Sequence, residues 1–111
     1  MEQELLENIK KFWNSAELVY STKDYTSASI LYFKCWFVMI DYILFKKLRK
    51  TPKDHTERFS ILKRYYPEFY LDLDKYFQVY RDTYSLNILK DKCDEVRANV
   101  SKIIKKQDIH I

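Results

Sequence analysis

At 111 residues the chain has room for one domain, residues 1–111, around a single core. It has no Gly, only two Pro, 17% aromatic and 32% charged residues, which excludes a hairpin-rich β fold and excludes disorder. A net charge of +4, spread over 20 basic and 16 acidic side chains, excludes a basic nucleic-acid-binding tail while permitting a nucleic-acid contact.

The composition suits long helices, and five can be read in chain order. Leu5, Ile9, Phe12, Ala16 and Val19 recur at steps of four and three, with Leu6, Trp13 and Tyr20 widening the stripe. They predict a first helix over about residues 2–21, acidic and amphipathic at its start and therefore unlike a secretory signal. "STKDYTS" breaks the pattern with turn and N-cap chemistry. A second helix is predicted over about residues 26–49, apolar nearly all round and therefore central. Its stretch "YTSASILYFKCWFVMIDYILF" is about long enough to span a bilayer. Lys34 and Asp41 lie inside it, however, and each would cost about 2.5–3.5 kcal/mol near the bilayer centre. A buried helix of a cytoplasmic protein without membrane contact is expected instead. Lys34 and Asp41 share one face of that helix and, partly shielded, are expected to pair with neighbouring groups.

"FKKLRKTPK", residues 45–53, is the densest basic cluster; it reads first as a solvated helix end that suits the negative end of the dipole, with a phosphate-contacting edge as the alternative. Pro52 ends the helix, and Asp54 with Glu57 forms an N-cap pair opening a short third helix buried through Phe59, Leu62 and Tyr66. Pro67 starts a fourth helix, whose stripe runs through Phe69, Leu73, Phe77, Tyr80 and Tyr84. Asn87 is placed to cap the fifth helix, which keeps its period through Leu89, Cys93, Val96, Val100 and Ile103 to about residue 106. "QDIHI" reads as a frayed tail. Short connections then predict an all-α, up-and-down antiparallel bundle of four to five helices.

Chemistry-bearing motifs are sparse. Without Gly there is no phosphate loop, and no metal-ligand spacing or cofactor motif occurs, so no metal and no cofactor are expected. Cys35 and Cys93, far apart and inside apolar patterns, read as core residues in a reducing compartment. His55 reads as an exposed residue of a helix's first turn, and His110 falls in the tail. Arg81 stands out in "YFQVYRDTYSLN". It lies at the edge of an aromatic stripe, where it either covers Phe77 and bonds Asp74 or Asp82, or offers its guanidinium to phosphate beside Tyr80 and Tyr84.

The order of these features over roughly residues 10–105 resembles a HEPN domain (higher-eukaryote and prokaryote nucleotide-binding domain). The matching features are Asp24, Tyr25 and Ala28 at the first turn, a long apolar second helix, Pro52 and His55 at the next start, and Arg81–Asp82 late in the chain. The resemblance implies an all-α homodimer whose cleft gathers the two Arg-containing helices. It also implies one of two roles: a metal-independent endoribonuclease of the toxin-like kind, or a non-catalytic partner of RNA, nucleotides or a minimal nucleotidyltransferase. The nuclease members carry a His shortly after the Arg and its polar neighbour, but here residues 86–88 are Leu86, Asn87 and Ile88. Asn87 can hydrogen-bond but cannot shuttle a proton as imidazole does. The expectation is therefore a prokaryotic-type binding module with Arg81, Asp82, Tyr84 and Asn87 as its binding residues. A divergent nuclease using Arg81 and Asp82, or a plain helical interaction protein, stands as the alternative.

Overall fold

The computed structural model describes residues 1–111 as five helices with no strand: α1 (Glu2–Ser21), α2 (Tyr25–Leu48), α3 (His55–Tyr65), α4 (Pro67–Asp82) and α5 (Lys90–Lys106). Local chemistry explains most boundaries. Asp24 accepts the Ser27 amide at 3.0 Å and caps α2, and Asp54 accepts the Glu57 amide at 2.8 Å and caps α3. Glu57 reaches back to the Lys53 amide at 3.3 Å, and Pro67 occupies the first turn of α4. With no Gly available, Lys23, Arg49 and Asp108 take the left-handed conformation at helix ends, with φ of 68°, 61° and 53°.

α2 is the centre of the bundle. It touches all four other helices, and twelve of its 24 residues are buried. Tyr32, Phe33, Trp36, Met39, Ile40 and Leu44 are fully enclosed, and each large side chain contributes about 1.5–3 kcal/mol on leaving water. α2 alone is long and apolar enough to cross a membrane, but 67% of its most apolar window is buried inside the bundle. Cys35 and Cys93 are free thiols in the core, and burial pushes Cys35 up to about 12.

Inter-helix contacts give the directions. Glu17 meets Tyr32 and Ile9 meets Cys35, so α1 and α2 are antiparallel; Tyr76 meets Glu95 and Asp72 meets Lys102, so α4 and α5 are too. Phe33 packs on Tyr80 and Phe37 on Phe77, making α2 and α4 antiparallel. The four long helices thus form the up-and-down bundle. α3 is the short exception: His55 lies on Phe37 and Arg58 on Asp41, so at this contact it advances in the same sense as α2. The connection 49–54, extended at Asp54, carries the chain back along α2 before α3 begins.

Three local expectations are corrected. Lys34 shares a strip with Ile30, Val38, Asp41 and Phe45 that α2 leaves least covered; α3 closes over Asp41, but Lys34 stays exposed and unpaired. Asn87 is exposed and caps nothing. Ile88 is drawn into the core, its amide donating to Thr26 Oγ1 at 2.8 Å, so α5 starts two residues later with Leu89 as its N-cap. The tail is anchored, because Ile109 is buried and its amide donates to the Ile104 carbonyl at 3.0 Å.

Side chains also bridge α1 to α5. Arg97 donates to both Glu17 oxygens at 2.9 and 3.0 Å, the buried Tyr32 hydroxyl donates to Glu17 at 2.6 Å, and the Arg97 guanidinium lies 4.6 Å over Tyr20. Burial pushes the Glu17 carboxyl up, but the Arg97 and Tyr32 hydrogen bonds outweigh it and hold it below the ordinary range. Glu17→Ala strands the buried Tyr32 hydroxyl and is expected to cost about 1–2 kcal/mol, read as a lower urea midpoint. Glu17→Gln, which still accepts from Tyr32, is expected to cost less. Equal loss in both variants would show that the Arg97 charge pair carries the effect instead.

Candidate functional site

The return of the chain along α2 places α3 antiparallel against α4. His55 lies 5.5 Å from Phe77 and 5.8 Å from Tyr80, and Phe59 lies 4.8 Å from Phe77 and 6.1 Å from Tyr70 (ring centroids). Between the two helices is an open cleft of about 320 Å³ lined by His55, Thr56, Phe59, Tyr70, Asp74, Phe77 and Arg81.

Arg81 is exposed at the lip of this cleft. Its guanidinium lies 5.3 Å over the Phe77 ring, so the covering of Phe77 is as expected. The expected bond to Asp74 or Asp82 does not form. Asp82 instead accepts from Gln78 at 2.9 Å, and neither Arg81 nor Asp74 has an ion-pair partner. The remaining named residues do not join Arg81. Asp82 and Asn87 line a different groove, beside the start of α5, because consecutive residues on a helix point about 100° apart. Tyr84 is 78% exposed and meets Tyr80, its ring edge-on at 5.7 Å and its hydroxyl 3.0 Å from that of Tyr80. That bond, with burial, pushes Tyr80 up to about 12.

His55 is the residue sequence reasoning misplaced. It is half-buried, not an exposed first-turn residue, with its ring 4.6 Å from Phe37. Its position in the "P..H" start was the only signal. Asp41 on α2 binds Arg58 through both oxygens, at 2.7 and 2.9 Å, and the remaining Arg58 nitrogen donates to His55 Nδ1 at 2.6 Å. A guanidinium only donates, so Nδ1 is the acceptor and the ring proton sits on Nε2. Nε2 has no partner in the chain and is not sealed off, so it can donate to a ligand. The amides of His55 and Thr56, at the positive end of α3, are also unbonded.

Burial, and then the Arg58 charge, holds His55 below its ordinary value of 6.5, against weaker pulls from Asp41 and Asp54. A base with a depressed folded-state pKa binds fewer protons folded than unfolded. Its contribution to stability is complete above pH 6.5 and is lost as pH falls through the lower folded-state value. The wild-type urea midpoint is therefore expected to drop as pH falls below 6.5, before the carboxylates titrate, and His55→Gln to flatten that drop. Glu17, Asp24 and Asp94, whose carboxyls are also held low, lose their contributions only below 4.5 or 3.8, outside this window. An unchanged slope in the variant would refute the assignment to His55.

No family model, no curated protein and no solved structure matches this chain at a significant level.

Proposed function

We propose that the chain is a HEPN-like helical-bundle binding module of the cytoplasm, non-catalytic, forming a homodimer and acting with RNA or with a minimal nucleotidyltransferase. One observation carries this reading: Arg81 holds a free, exposed guanidinium at the lip of an aromatic cleft, while the only imidazole in that cleft is engaged at Nδ1 by Arg58. Such a site can grip phosphate and stack rings. Its histidine cannot take up a proton at Nδ1 without losing Arg58, nor at Nε2, which already carries one. The loop after α4 supports the dimer, with Tyr84, Leu86 and Leu89 at 78%, 58% and 69% exposure beside the Arg81 end of the helix.

The alternative, a divergent metal-independent ribonuclease using Arg81 and Asp82, gains one observation: His55 reaches the cleft from α3 where α4 supplies no histidine. Labelled RNA mixed with the protein in chelator separates the two. A mobility shift with the RNA intact on a denaturing gel is expected. Cleavage that disappears in Arg81→Ala would establish the nuclease instead. A monomer mass by light scattering at tens of micromolar, roughly the range of weak dimers, would remove the dimer from the proposal.

A further inference from the structure

Two of the clefts lined by charged side chains differ in one respect. The larger, about 490 Å³ between α1 and α5, has its charges already spent on each other: Glu17 on Arg97, and Asp94 on Lys90 and Tyr20. In the α3–α4 cleft the charges are unspent and sorted by sign. Arg81, His55 and Thr56 line one end, where the Nε2–H of His55 and the amides of His55 and Thr56 have no partner in the chain. Asp74 lies seven residues earlier on α4, about 10 Å down the helix axis. It has no ion-pair partner; Lys63 of the facing helix lies 5.4 Å over Tyr70 and is not paired to it. Between the two ends stand the rings of Phe77 and Phe59.

We propose that this cleft is a polarised pocket for one nucleoside monophosphate, with the phosphate held by Arg81 and His55, the base lying against Phe77 and Phe59, and Asp74 accepting from the N–H edge of the base. The assignment rests on the reading of Arg81 as a nucleic-acid contact and adds to it the ligand's size, direction and base preference. A volume near the lower limit of ligand pockets admits one nucleotide and not a stacked pair. The phosphate is met by one charge and one neutral donor. The Asp41–Arg58 pair is the positioning element, because it fixes the ring proton on Nε2. A carboxylate pairs best with two adjacent donors, and guanine offers N1–H beside its N2 amino group, whereas uracil offers a single N–H. Guanine is thus the preferred base, as a free nucleotide or as the phosphorylated end of an RNA strand.

Calorimetric titration with GMP, UMP, inorganic phosphate, and a short guanine-ended RNA with either a 5′-phosphate or a 5′-hydroxyl tests this. Wild type is expected to bind GMP about tenfold more tightly than UMP, and inorganic phosphate more weakly than either. Asp74→Ala is expected to erase the preference for GMP, weakening UMP less than GMP. Arg81→Ala is expected to weaken every nucleotide about tenfold. Both side chains are exposed, so both variants should fold, and circular dichroism checks that they do. If free GMP binds, the pocket takes free nucleotide; if only the 5′-phosphorylated RNA binds, with the same dependence on Asp74, it takes a strand end. RNA binding that needs Arg81 but ignores Asp74, with no nucleotide bound at millimolar concentration, would overturn the pocket and leave the RNA-binding reading standing. Absence of all RNA and nucleotide binding would overturn both.

Discussion

Asp41→Ala is expected to lower the stability of the protein by about 2–4 kcal/mol, more than either Glu17→Ala or Arg81→Ala. The pair it breaks is well shielded, with side-chain exposures of 15% for Asp41 and 11% for Arg58. Removing a fully buried partner costs about 3–5 kcal/mol, and the residual water access at this site lowers the figure somewhat. The loss is uncompensated because Arg58 cannot turn to solvent: its guanidinium is packed 5.4 Å over Phe37 and bonded to His55. For a chain of this size the melting temperature should fall by roughly 10–20 °C. The double variant Asp41→Leu/Arg58→Leu is expected to be more stable than Asp41→Ala, since it leaves no orphaned charge. Thermal and urea unfolding of the three proteins would decide this. A double variant worse than the single one would mean that the pair gains more from its geometry than it loses by desolvation. Because the same pair orders the start of α3, Asp41→Ala should also broaden the signals of His55 in a proton spectrum.

Arg81→Ala should do the opposite, sparing stability while removing function. Its guanidinium is exposed, has no ion-pair partner and rests on one face of Phe77, so truncation should cost less than about 1 kcal/mol. In a dimer that brings two such helices together it would even relieve like-charge repulsion. Binding to RNA or to a nucleotidyltransferase partner is expected to fall at least about tenfold, the loss from one charge-assisted contact of about 1.5–3 kcal/mol. Arg81→Lys tests the geometry, because an ammonium supplies the charge but not the planar fork; it should restore only part of the affinity. A variant that melts several degrees lower and binds every partner normally would make Arg81 a piece of scaffold. The contrast between Asp41 and Arg81 is itself informative: one charge is spent inside the fold, the other is held free at its surface.

How much of this was legible in the chain depends on the range of the interaction. Arg81 was conspicuous because its aromatic neighbours are adjacent in sequence and lie on the same helix, at spacings a helix fixes. Asp82 and Asn87 were grouped with it through the resemblance to the HEPN family, and the fold separates them: Asp82 turns to Gln78, and both line another groove. His55 could not be placed with Arg81, because nothing between residues 49 and 54 reports that the connection runs back along α2. Its depressed pKa, its fixed tautomer and its place in the cleft all follow from that path.

The all-helical character, the four alternating long helices, the caps at Asp24 and Asp54, the start at Pro67 and most of the core of α2 are local properties of the chain. Each of these rests on residues within a turn or two of one another, where backbone propensity, capping and apolar period act without help from elsewhere. The direction of α3, the pairing of Asp41 with Arg58, the exposure of Lys34, the burial of Ile88 and Ile109, and the shared cleft of His55 and Arg81 arise from packing between helices. Those outcomes depend on which helix covers which strip of α2, and packing of that kind is settled by shape and desolvation between segments far apart in the chain.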